Sequence, residues 1–143
     1  MPQNFWPWNN PNGLRESAQP NAAYNTDTST AAHVVAAAKL TGGAKDVVLA
    51  MTGALGAGAT ATTDTAANII AAIPLGQRYV GFTYKLRVVN ESSGAFAWTV
   101  AGGTGVTVTG TATVAQNTWR EFIVTIASAT TVTLQNVGTG TYS

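Results

Sequence analysis

The feature that most constrains this chain is a two-residue rhythm of apolar side chains that runs through most of its second half. From Tyr79 to Val89, Phe82, Tyr84, Leu86 and Val88 share one parity while Thr83, Lys85, Arg87 and Val89 share the other. Successive side chains of a strand point to opposite faces, so this alternation predicts a half-buried β-strand and is incompatible with an amphipathic helix. The rhythm continues through Phe96, Trp98 and Val100, and then through Val106, Val108, Ala112 and Val114. The latter group lies opposite Thr107, Thr109, Thr111 and Thr113, with a bulge or bend expected at Gly110. Trp119–Ile126 and Thr130–Asn136 supply two more strands, and the chain is expected to fade at Gly138-Thr139-Gly140.

Earlier elements are fewer. Asp46–Met51, bracketed by Gly42-Gly43 and Gly53, reads as a strand, whereas His33–Leu40 fits a short strand or a short helix. Ala66, Ile69, Ile70 and Ile73 fall at i, i+3, i+4 and i+7, which predicts a helix with Asp64 as N-cap and Pro74 as its stop. Four of the five prolines (Pro2, Pro7, Pro11 and Pro20) lie near the start, where no apolar periodicity is visible. Proline removes a ladder donor and biases its predecessor toward extended geometry, so residues 1–32 read as an extended N-terminal arm. Residues 33–143 then form a single β-rich domain with a firm core over about 42–143. The expected fold is all-β: an antiparallel sandwich or jelly-roll-like body with one short helix.

With 143 residues there is room for one core. Seven Lys and Arg against six Asp and Glu leave a net charge of +1, and only 9% of residues are charged, so no concentrated field is available to draw in nucleic acid or an anionic membrane. The chain has no cysteine, which excludes disulfides, thiolate metal sites and a cysteine nucleophile.

Chemistry is hard to assemble from what remains. His33 is the only histidine, no nucleophile elbow accompanies it, and it reads as a packing or surface group. The six carboxylates, Glu16, Asp27, Asp46, Asp64, Glu91 and Glu121, are scattered singly, which offers neither a glycosidase pair nor a hard-cation cluster. Thr41-Gly42-Gly43-Ala44-Lys45 lacks the glycine spacing and the Ser or Thr after Lys that a phosphate loop requires. Asn90-Glu91-Ser92 has the form of a glycosylation acceptor but is expected to be a hairpin turn. No catalytic residue, metal or cofactor is expected.

Contact surfaces are better represented. Phe5-Trp6-Pro7-Trp8 places three large aromatics within four residues, too much apolar area to leave in water, so this segment is expected to fold back on its own domain or to anchor on a partner or neighbouring subunit. Lys85 and Arg87 fall on an outward face, as do Thr107 and Thr109 in a threonine row; these four are possible interface residues.

The order of motifs Asp64–Pro74, Leu86–Asn90, Phe96–Val100, Asn117–Phe122 and Val132–Gly138 resembles small virion proteins of tailed bacteriophages, over about residues 60–140. That resemblance is to capsid decoration, or cement, proteins. It implies a structural, non-enzymatic role on the exterior of the capsid, with the major capsid protein as partner. It also implies self-association, preferably as a homotrimer, with shell stabilisation through the N-terminal arm and subunit contacts, and no part for nucleic acid or membrane. The alternative is a tail-fibre or spike module that binds a host surface glycan at Trp119, Tyr142 or loop asparagines.

Overall fold

The computed structural model describes residues 22–43 and 45–142. Among these residues ten strands form two mixed sheets: β1 (Ala22–Asp27), β2 (His33–Val35), β3 (Asp46–Met51), β4 (Ala59–Thr63), β5 (Thr83–Asn90), β6 (Trp98–Ala101), β7 (Val106–Thr109), β8 (Thr113–Val114), β9 (Thr118–Ile126) and β10 (Val132–Thr141). Three helical pieces accompany them among the described residues: α1 (Ala37–Thr41), α2 (Ala66–Ala72) and a 3₁₀ turn at Leu75–Gln77. The largely β composition matches the sequence reading.

From β1 to β9 the chain changes sheet at every strand. The odd-numbered strands build a six-stranded sheet in the order β1-β3-β5-β9-β10-β7, and β2-β4-β6-β8 build a four-stranded one. Each return to a sheet during the first three circuits lands parallel to the previous strand, β1 on β3 and β3 on β5 in one sheet, β2 on β4 and β4 on β6 in the other. The opening half therefore winds as a coil, and the expectation of purely antiparallel pairing is corrected. Antiparallel neighbours come later, as β9 joins β5, β10 joins β9 and β8 joins β6. A hairpin needs only a short turn, whereas a parallel return needs a long crossover, and here the strand of the opposite sheet supplies that length.

The alternation predicted for β5 and β9 sets the core. Tyr84, Leu86 and Val88 from β5 meet Phe122, Val124 and Ile126 from β9, with Val47, Leu49 and Met51 from β3 and Val132 and Leu134 from β10. Val35, Ala61, Trp98, Val100 and Val114 of the smaller sheet belong to the same apolar cluster, and Trp98 and Phe122 are both fully buried.

Several boundaries shift. Of the arm expected over 1–32, residues 1–21 lie outside the described residues, while Ala22–Asp27 is the outermost described strand of the larger sheet and His33 opens β2. His33–Leu40 turns out to hold both alternatives, a short strand followed by α1. In α2 the N-cap is Thr65, whose hydroxyl accepts from the Asn68 amide at 3.2 Å. Asp64, one residue earlier, serves two helices, accepting from Thr65 N–H at 2.8 Å and from Ala37 N–H at the start of α1 at 3.0 Å. Those hydrogen bonds, led by one from the Asn68 side chain, hold its carboxyl below the usual range.

Of the bulge or bend expected at Gly110, the structure has the bend: with φ of +82° it marks the crossing from the six-stranded to the four-stranded sheet. Asn90-Glu91-Ser92 also joins strands of different sheets and is no hairpin. Asn90 is fully buried, donates to the carbonyls of Phe96 and Val114, and accepts from Ser92, so the folded chain offers no glycan acceptor there. Finally, β10 does not fade at Gly138 but runs to Thr141.

Truncating Phe122 removes a ring at the centre of this shared core. Phe122→Ala is expected to cost about 3–5 kcal/mol in chemical denaturation, whereas Phe96→Ala, at a half-exposed ring, costs about 1 kcal/mol or less.

Candidate functional site

Inward parity on one side of the six-stranded sheet leaves the other parity on its outer face, and strand register arranges those residues in rows. The first is a threonine row, Thr83, Thr125, Thr133 and Thr107. The second runs Ala22, Asp46, Lys85, Ile123, Gln135 and Thr109 across all six strands. The third holds Tyr24, Val48, Arg87, Glu121 and Gly138, and the fourth Thr26, Ala50, Val89, Trp119 and Gly140. Lys85, Arg87, Thr107 and Thr109, expected separately as interface residues, thus share one face. Phe5, Trp6, Pro7 and Trp8 lie outside the described residues.

The charges on this face are matched to their neighbours. Arg87 Nη2 lies 3.1 Å from Glu121 Oε2 on β9, and Lys85 Nζ lies 4.0 Å from Asp46 Oδ1 on β3. Arg87 also stands over the Trp119 ring at 4.4 Å from its centroid, a cation–π contact. The ring lies where a side chain at Gly140 would project: a Cβ there would fall 2.5 Å from the indole. Glycine near the end of β10 is therefore the space that lets Trp119 lie across the sheet. Asp46, Val47, Val48, Lys85, Arg87 and Glu121 line a shallow depression between β3, β5 and β9.

Beside the face, the Tyr24 hydroxyl approaches Glu91 Oε2 at 3.4 Å and the Tyr142 hydroxyl donates to the Asn90 carbonyl at 2.8 Å. Burial foremost, and then the Glu91 charge, raises the pKa of both phenols.

The lone histidine sits elsewhere, in a knot at the start of the coil. Its Nε2 lies 3.2 Å from Asp27 Oδ2, close but not aligned as a hydrogen bond, and its Nδ1 lies 3.1 Å from the Ala31 carbonyl oxygen. The ring also meets Trp98 edge-on, with centroids 5.4 Å apart. Both nitrogens are turned toward protein oxygens, an arrangement unlike a general base presented to a hydroxyl. Asp27 is the centre of this knot. It is buried and accepts from Ser29 N–H at 2.9 Å and from Lys39 Nζ at 3.1 Å, while Thr52 N–H bonds its carbonyl. Burial pushes its carboxyl pKa up, but the hydrogen bonds from Ser29 and Lys39, with the His33 ring alongside, outweigh that and hold it well below the usual carboxylate range.

The sequence reading missed this knot, because nothing in the spacing of Asp27, His33 and Lys39 announces a meeting that depends on α1 folding against β1. The pairings of Glu121 and Trp119 with Arg87 were closer to reach, since Trp119, Glu121 and Ile123 share the outward parity of β9. Comparison with family models, curated proteins and solved structures finds no match to this chain.

A carboxylate with a depressed folded-state pKa contributes stability that is complete above its unfolded value and is lost as pH falls through the folded one. Asp27→Asn is therefore expected to lower stability by about 1.5–3 kcal/mol near pH 7. Denaturation series from pH 7 downward should show the wild-type advantage constant to about pH 5 and shrinking below about pH 4. An advantage that does not shrink in acid would remove the charge from the account.

Proposed function

We propose that this chain is a structural assembly protein that works by surface contact, in the manner of the bacteriophage head decoration proteins its motif order resembles. It would sit on the exterior of the capsid as a homo-oligomer, preferably a trimer, with the major capsid protein as partner, and would stabilise the shell without a catalytic step. We read the two sheets around one core as a sandwich, a rigid body suited to that task. The observation that carries the reading is the outer face of the six-stranded sheet, where Lys85, Arg87, Thr107 and Thr109 share one surface whose charges already have opposite neighbours. Such a face can be covered by a partner without stranding an unpaired charge, which is the costly event in burying ionic groups. Copies on a symmetric lattice would add avidity, since each bound contact raises the effective concentration of the next.

Glycan binding by a fibre or spike module is less well supported. The Trp119 ring lies over Gly140 and beneath Arg87, and the Tyr142 hydroxyl is committed to the Asn90 carbonyl, so neither stands free for a sugar.

Cryo-electron microscopy of the particle carrying this chain is expected to place it on the outer head lattice; density confined to the tail would overturn the proposal. In a binding assay with purified heads, Lys85→Glu with Arg87→Glu is expected to weaken attachment roughly tenfold or more, about 1.4 kcal/mol, with the circular dichroism spectrum retained. Removal of residues 1–21, which spares β1, is expected to abolish attachment. A cut at residue 32 would delete an edge strand and test folding instead.

A further inference from the structure

The depression between β3, β5 and β9 has a definite chemistry. Two ion pairs, Asp46 with Lys85 and Arg87 with Glu121, frame it and satisfy each other, so it offers no net charge to attract an ionic ligand. Its floor and surroundings include Val48 on β3 and Ile123 on β9, both half-buried on the outer face. The cationic side chains Lys85 and Arg87 stand in the middle, and Arg87 already holds one aromatic ring, that of Trp119. A site of this kind suits an uncharged extended segment with flat aromatic groups, which would gain apolar contact and cation–π attraction without breaking either ion pair.

One such segment belongs to the chain itself. Residues 1–14 carry no Asp, Glu, Lys, Arg or His, and they contain Phe5-Trp6-Pro7-Trp8. The connection is long enough. Residues 9–21 separate Trp8 from Ala22, the first residue of the β1 edge, and can span on the order of 40 Å when extended. From β1 to β9 is three strand spacings, about 14 Å. Covalent attachment over so short a gap gives an effective concentration in the millimolar range, which a separate molecule reaches only when crowded.

We propose that the outer-face depression lined by Asp46, Val48, Lys85, Arg87 and Glu121 is the docking site for the aromatic leader Phe5-Trp6-Pro7-Trp8 of the same chain. This goes beyond the assembly reading, because it concerns the free subunit: the leader and the face cover one another until a partner competes for either.

Because the chain lacks cysteine, Asn4→Cys gives a single labelling position beside the leader in the full-length protein. With a nitroxide there, the amide resonances of Val48, Lys85, Arg87 and Ile123 should lose most of their intensity, while those of Val34 and Thr99 on the smaller sheet keep theirs. The loss should persist on dilution and be absent when spin-labelled chain without nitrogen-15 is mixed with unlabelled nitrogen-15 chain. Replacing Phe5, Trp6 and Trp8 together by alanine in the labelled chain should restore the signals. Uniform or absent broadening would overturn the proposal, as would broadening that survives the triple substitution. Broadening in the mixed sample would overturn it too, by moving the leader to a neighbouring copy. None of these outcomes involves heads, so failure here leaves the capsid reading standing, and failure to bind heads leaves this one standing.

Discussion

Burial of one apolar cluster shared by both sheets is the constraint from which the rest of the structure follows. Trp98 and Val114 reach it from the smaller sheet, and Phe122, Leu49 and Leu86 from the larger. Because the chain visits the two sheets in turn, every circuit must deliver inward-facing side chains on both sides, and each strand can expose only one parity to water. The helices fall in this scheme where the chain returns from the smaller sheet to the larger: α1 lies between β2 and β3, and α2 between β4 and β5. Asp64 ties the start of one to the start of the other through its two carboxylate oxygens.

Polar groups are placed where the coil needs closure. Asp27 ends the first strand and gathers the amide of Ser29, the ammonium of Lys39 and the ring of His33, so three successive elements share one buried carboxylate. Asn90 does comparable work where β5 leaves its sheet, using its amide for two carbonyls and its oxygen for Ser92. Such groups stabilise only while all their partners are present, since an orphaned buried donor or acceptor costs more than the bond contributes.

The outer face follows a different logic. Its charged side chains alternate across strands, acid on β3, bases on β5, acid on β9, and each pair lies within 4.0 Å. Exposed pairs of this sort contribute little to folding, so their consequence lies in the character of the surface: polar enough to stay in water, locally neutral enough to be covered. Trp119 depends on a distant accommodation, the absent side chain at Gly140, which the strand register alone brings beneath it.

The amino-acid sequence by itself determined which residues of β5 to β8 face inward, where Asp46–Met51 begins and ends, and which face of α2 packs. These are local properties: backbone geometry imposes a period of two on strands and 3.6 on helices whatever lies alongside. The four outward residues Lys85, Arg87, Thr107 and Thr109 were legible for the same reason. Tertiary structure alone decided that the early strands pair in parallel, that Ala22–Asp27 joins the sheet, that Asp27 meets His33 and Lys39, and that Trp119 lies over Gly140. Those outcomes join residues far apart in the chain, and they are selected by loop closure and by the fit of whole faces, quantities that no short window of sequence contains.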